Sequence, residues 1–142
     1  MGDRKLTIAD YPLAEKRPEL VAGPRGKKLV DITLEAVVTG DVEPEDLRIA
    51  PAALMMQAQI ASAANRPMLA ENFERAAELV DVPQDFIMRV YELLRPGRAK
   101  DKSPLLEAAR TLRETYGADR MAAFVEEAAD VYERRGLFKY RF

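Results

Sequence analysis

Leu69, Phe73, Ala76 and Val80 recur at intervals that bring them onto one face of a helix. Asp81-Val82-Pro83 interrupts the pattern. Pro83 has no amide hydrogen and a φ already suited to a helix, so it predicts the first position of the next one. There Phe86, Val90 and Leu93 form one line, with Ile87 and Leu94 beside it, until Pro96-Gly97 stops the chain. Upstream, Pro51 opens a helix over 52–64 in which Leu54, Ala58 and Ala61 share a face and Met55, Met56 and Ile60 widen the apolar arc. Its Gln57 and Gln59 fall on different sides, which leaves at least one for a partner or solvent. Asn65-Arg66-Pro67 then breaks and restarts the helix, so the chain doubles back. Downstream, past the charged loop 98–102, Ser103 is placed to cap a helix with Pro104 at its first position. Leu105, Ala109, Leu112 and Tyr116 repeat the one-face spacing, and Gly117 ends it. Asp119 is placed to cap a last long helix with a stripe of Met121, Phe124, Val125, Ala128, Val131 and Tyr132. Asp130 and Arg134 sit on its outer side, and Gly136 is its stop. Three aromatic residues in the six-residue tail 137–142 predict that it tucks onto the core or into a partner.

The first thirty residues read differently. Pro12, Pro18 and Pro24 recur every six positions, with Gly23 and Gly26 close by. Each proline biases its predecessor toward extended geometry, so this is an arm without a core of its own. Tyr11, Leu13, Leu20 and Val21 are nonetheless apolar enough to be held down by something else. A short helix follows over 31–40, with Asp31 or Thr33 as its cap and Gly40 as a left-handed end. Glu43-Pro44-Glu45-Asp46 starts another of about one turn, and Ile49-Ala50, before Pro51, is extended. Pro44, Pro51, Pro67, Pro83 and Pro104 all stand at helix starts, and no stretch alternates as a strand does. The fold class is therefore all-α: about five substantial helices and shorter turns, with an extended N-terminal arm. We divide it into a partner-binding arm at 1–50 and a helical body at 51–142.

Composition narrows the chemistry. The chain has 142 residues, 48% hydrophobic and 32% charged, with neither cysteine nor histidine. Ordinary zinc sites and Ser-His-Asp or Cys-His catalysis are excluded. Any catalysis would rest on carboxylates, Lys, Tyr or Arg. The carboxylate pairs Glu126-Glu127 and Asp81/Asp85 fall where a solvated helix face or a helix start puts them. Gly23-Pro24-Arg25-Gly26-Lys27-Lys28 lacks both the spacing and the preceding strand of a phosphate loop and reads as a flexible turn. No residue is assigned a catalytic, cofactor-binding or metal-binding role. The arm is basic: seven Lys and Arg face four acids over 1–30, against 15 and 20 in the rest. No apolar run approaches the ~20 residues needed to span a bilayer, and the first residues lead into no signal-peptide core, which suits a cytoplasmic protein.

Several segments, taken in order, carry a resemblance. They are Asp10-Tyr11-Pro12-Leu13-Ala14, Asp31-Ile32-Thr33-Leu34-Glu35, Asp46-Leu47-Arg48-Ile49 and Gln57-Ala58-Gln59-Ile60-Ala61. Asn72-Phe73-Glu74-Arg75-Ala76-Ala77-Glu78-Leu79, Val82-Pro83, and Tyr91 with Leu94-Arg95-Pro96 follow, then Ala122-Ala123-Phe124-Val125 and Val131-Tyr132. The set resembles the small (gamma) subunit of adenosylcobalamin-dependent diol and glycerol dehydratases, from about Asp10 to the C-terminus. The resemblance implies a complex of large, medium and small subunits, two copies of each. The large subunit is a barrel with the substrate and catalytic residues, and adenosylcobalamin lies between it and the medium subunit. The reaction, begun by a 5′-deoxyadenosyl radical, removes water from 1,2-propanediol or glycerol to give an aldehyde. The small subunit is mostly helical, packs on the large one and contributes no catalytic residue. Its acting residues are then interface residues, for which the candidates are Tyr11, Pro12 and Leu13 on the arm, with Arg48, Phe73 and Arg95. Some family members carry a longer amphipathic extension associated with packing into bacterial microcompartments. Only nine residues precede Asp10 here, which weakens a claim of encapsulation through this chain and leaves encapsulation of the complex open. Gly97 stands where the family pattern leads one to expect an aromatic residue. The competing reading is a stand-alone helical interaction or regulatory module that binds nucleic acid through the basic arm.

Overall fold

A computed structural model of the chain describes residues 4–139. All named elements among these are helical, and the only β pairing is an isolated bridge between Ala22 and Lys28. The contacts group the chain into two compact units, Met1–Val80 and Asp81–Phe142.

In the first unit the arm is less extended than its prolines suggest. It turns through a 3-10 turn at Ile8–Asp10, helix α1 at Leu13–Lys16 and a second 3-10 turn at Pro18–Leu20. A third, Leu29–Asp31, leads to α2, Leu34–Val38, and a fourth, Pro44–Leu47, leads to α3, Pro51–Ala63. The helix expected over 31–40 is thus only five residues long. Thr33 caps it by accepting from the Ala36 N–H (3.1 Å), while Asp31 accepts from the Lys28 N–H (2.9 Å) one turn earlier. Gly40, just past the Thr39 cap, takes the left-handed conformation at φ 80.

What holds the arm down is its own chain. Leu6 and Leu13 bury against Ile60 of α3, with Leu20, Val21 and Met56 packed around them. The Leu6 N–H donates to the Gln59 side-chain oxygen (3.0 Å), which fixes one of the two glutamines. The opposite side of α3 meets α4, Pro67–Leu79, in a helical hairpin. Asn65 makes the reversal at φ 57, and the Arg66 N–H closes it on the Ala61 carbonyl (2.9 Å). Ala58, Ala61 and Ala70 form the seam, small enough for two backbones to approach, and Leu69 and Phe73 flank it. Phe73 is only half-buried.

The second unit holds α5, Gln84–Leu94, α6, Ser103–Glu114, and α7, Asp119–Arg135. Three helix starts differ by one residue from the sequence expectation. Pro83 is the cap rather than the first helical residue. Ser103 is itself helical, its N–H taken by the Asp101 carboxylate (2.7 Å). Asp119 is likewise the first helical residue, after Ala118. Leu105, Ala109 and Leu112 of α6 are buried as their spacing predicts. On α7 the buried line is Ala122, Val125 and Ala129, while Phe124 is 41% exposed. The alanines let α6 come close, and the bulky ring falls off that line. The Phe86 and Tyr116 rings meet at 5.4 Å, tilted by 46°. After Gly136 the chain returns to the end of α5: the Gly97 N–H donates to the Leu137 carbonyl (3.1 Å) and the Tyr132 hydroxyl to the Leu94 carbonyl. Phe138 packs edge-on against Tyr132. The first part of the expected apolar tail therefore tucks onto its own unit, and Tyr140, Arg141 and Phe142 lie outside the described residues.

Candidate partner-binding surface

Around α2 the chain has too few residues to build a core, and its apolar side chains stay outside. Leu34, Val38 and Val30 are 81%, 77% and 76% exposed. Leu29, Val37, Leu47 and Ile49 are each at least half exposed. No residue of α2 is buried. Such a density of exposed apolar side chains in 21 residues exceeds the scattered few of an ordinary monomer surface, and exposure of this kind is characteristic of interaction surfaces.

The excursion is nevertheless anchored at its base. The Gly23–Lys28 turn, read from sequence as flexible, is closed by the Gly23 N–H to the Lys27 carbonyl (2.9 Å). Lys27 pairs with Asp41 (2.8 Å), and Arg25 with Glu43 (2.8 Å) and Asp46 (3.1 Å). Asp46 is buried, and one of its carboxylate oxygens also accepts the Glu43 N–H (2.8 Å). Gly23 lies so close to this segment that a Cβ there would sit 2.5 Å from the Asp46 carbonyl oxygen. Val42 is buried, with its N–H on the Ala36 carbonyl (3.0 Å). An ionic clasp thus holds 23–28 to 41–46 while the apolar residues between them point away.

The same pairing uses up much of the basic arm. Arg4 and Arg17 both reach the buried Asp10 carboxylate (3.0 and 3.3 Å). The Thr7 N–H, then the Arg17 and Arg4 guanidiniums, hold the Asp10 carboxyl below the usual carboxylate range, against the opposing effect of burial. Four of the seven basic residues of 1–30 are therefore in ion pairs within the chain. Glu126 is paired as well, with Arg113 holding its carboxyl below the ordinary value.

A second feature lies where the arm crosses the α3–α4 hairpin. Ile8 and Tyr11 of the arm, Ile60 and Ala61 of α3, and Leu69 and Phe73 of α4 wall a cavity of about 300 Å³. Gln57 and Arg66 are its polar residues.

The six residues expected at a partner interface are placed as follows. Tyr11 and Phe73 meet at this cavity. Pro12 is exposed, on a cis peptide bond after Tyr11. Leu13 is turned into its own core beside Ile60. Arg48 is exposed and pairs with Glu45, and Arg95, in the second unit, pairs with Glu92. The partner-binding arm expected from sequence spans 1–50, but none of the apolar residues of 29–49 was among its named interface candidates. One signal was present: Val37 and Val38 are adjacent, so a five-residue helix cannot turn both toward one core.

A family model for the dehydratase small subunit matches residues 6–139. The chain belongs to that family. It is 48% identical over 136 residues to the propanediol dehydratase small subunit of Salmonella typhimurium, covering 96% of this chain and 78% of that one. It is likewise 48% identical over 132 residues to the propanediol dehydratase small subunit of Citrobacter freundii, covering 93% and 76%. A dehydratase small subunit has partner subunits. Among the described residues of this small subunit no group of acidic side chains is arranged to hold a metal ion, and no helix is long and apolar enough to cross a membrane.

Proposed function

We propose that this chain is the non-catalytic small subunit of an adenosylcobalamin-dependent propanediol or glycerol dehydratase, a cytoplasmic lyase, and that it stabilises the large catalytic subunit by packing on it. The observation that carries the reading is the apolar excursion at 29–49, held out by ion pairs and left uncovered by its own chain. Full burial of one Leu or Val side chain contributes about 1.5–3 kcal/mol, so a few of them suffice to hold a subunit in place. The complex converts a 1,2-diol to an aldehyde and water, with adenosylcobalamin supplying the radical that starts the reaction. With no histidine, this chain supplies no histidine ligand to cobalt. The cavity, at about 300 Å³, lies at the bottom of the range of small-ligand sites. The chain's part is to keep the large subunit folded and soluble, in a complex with two copies each of the large, medium and small subunits.

The test is co-expression with candidate large and medium subunits, followed by size-exclusion chromatography and a diol-dehydration assay with added adenosylcobalamin. Co-elution, with activity or solubility lost when this chain is omitted, is the expected result. Full activity without it, and a chain that elutes apart from both partners, would overturn the reading.

A further inference from the structure

The cavity between the arm and the α3–α4 hairpin is built from side chains of three separate elements and carries one cation. Arg66 lines it, is exposed, and makes no ion pair with a described residue, in contrast to Arg4, Arg17 and Arg25 of the same unit. The other polar residue, Gln57, offers an amide that both donates and accepts, while its neighbour Gln59 is already engaged by the Leu6 N–H. The walls are apolar and in part aromatic, from Tyr11 and Phe73. Ile8 and Tyr11, which wall the cavity, are each 58% exposed, so its rim on the arm is open apolar surface. The occupant must also cover the apolar surface beside it, which favours a polypeptide over a small molecule.

We propose, resting on the reading of this chain as a dehydratase subunit, that the cavity receives a segment of a partner dehydratase subunit in which a large apolar or aromatic side chain stands within a few residues of an Asp or Glu. The apolar side chain fills the cavity against Tyr11 and Phe73, where offset or edge-on ring contacts are available. The carboxylate meets the Arg66 guanidinium, whose planar fork suits a two-point contact. Gln57 takes a backbone group of the inserted segment. An aromatic-walled pocket with an adjoining arginine is the usual make-up of the few positions that dominate an interface. This contact is separate from the apolar excursion at 29–49 and adds a charge requirement which that excursion lacks.

The experiment uses the assembled complex. In one arm, Tyr11→p-benzoylphenylalanine is incorporated, the complex is irradiated, and the crosslinked peptide is identified by mass spectrometry. A peptide from another dehydratase subunit, with a large apolar residue near an Asp or Glu, is expected. In the second arm, Arg66→Glu and the cavity-filling Ala64→Leu are measured for affinity to the partner subunits and for the melting temperature of the free chain. Each variant is expected to weaken assembly at least tenfold with the melting temperature unchanged, and changing the crosslinked acid to Lys is expected to restore binding of Arg66→Glu. A crosslink to a second copy of this chain, or to a peptide without an acidic residue, would overturn the proposal. So would wild-type affinity in both variants. If the wild-type chain never joins the dehydratase subunits, the subunit reading itself fails and the proposal falls with it. If the wild-type chain assembles but neither variant weakens it, only the cavity proposal fails.

Discussion

Changing both Leu34 and Val38 to Ala separates the apolar excursion's role in folding from its role in assembly. Both side chains lie on α2 and are 81% and 77% exposed, so the free chain has little to lose from their truncation. Surface changes of this kind stay within about 0.5 kcal/mol each, and Ala favours the helix. Against a partner the account is different. Full burial of a Leu or Val side chain contributes about 1.5–3 kcal/mol, and roughly four-fifths of each is still available here. Allowing for the methyl group that Ala keeps, the pair contributes about 2–4 kcal/mol, or about 30- to 700-fold in affinity at 1.4 kcal/mol per tenfold. The assay is titration of labelled small subunit into the other dehydratase subunits, beside thermal unfolding of the free chain. Unchanged unfolding with affinity lowered in that range is expected. Wild-type affinity in the double variant would refute the assignment of this surface, and a clear loss of stability in the free chain would show that α2 packs on its own unit after all.

Leu112, 1% exposed in α6, is expected to cost about 2–5 kcal/mol on change to Ala, read by urea unfolding. Phe73→Ala is expected to cost less than the roughly 3–5 kcal/mol of a fully buried ring, because the ring is half-buried at the cavity. Gly23→Ala drives a Cβ onto the Asp46 carbonyl and is expected to cost about 1–3 kcal/mol by the same unfolding measurement. Asp10→Asn is expected to lower stability at pH 7. Folding lowers the Asp10 pKa, so its contribution is whole above the unfolded value of about 3.9 and is lost as pH falls through the folded one. The gap between wild type and variant should therefore be flat near neutrality and close below about pH 4, as followed by unfolding across pH.

The sequence by itself determined the helices. Their one-face spacings, the prolines at or next to the starts of α3 to α6 and the glycines after α5 to α7 are local properties, and the helices follow them to within a residue or so. The set of ordered segments was also enough for the family. Caps were less legible, because Ser103 and Asp119 suit both a cap and a first helical position, and which they take depends on how the preceding loop packs. On α7 the periodicity favoured Phe124, yet the buried line runs through Ala122, Val125 and Ala129, because closeness to α6 rewards small side chains. Which apolar side chains of the arm stay exposed was decided by tertiary structure. Leu13 and Leu34 are the same residue type in two short helices of four and five residues. Leu13 is buried because Ile60 stands opposite it, whereas Leu34 is exposed because the pairing of Arg25 and Lys27 with Asp41, Glu43 and Asp46 ties down the ends of its segment and leaves nothing beneath it. Burial depends on what lies across from a side chain, and a pattern along one chain does not contain that information.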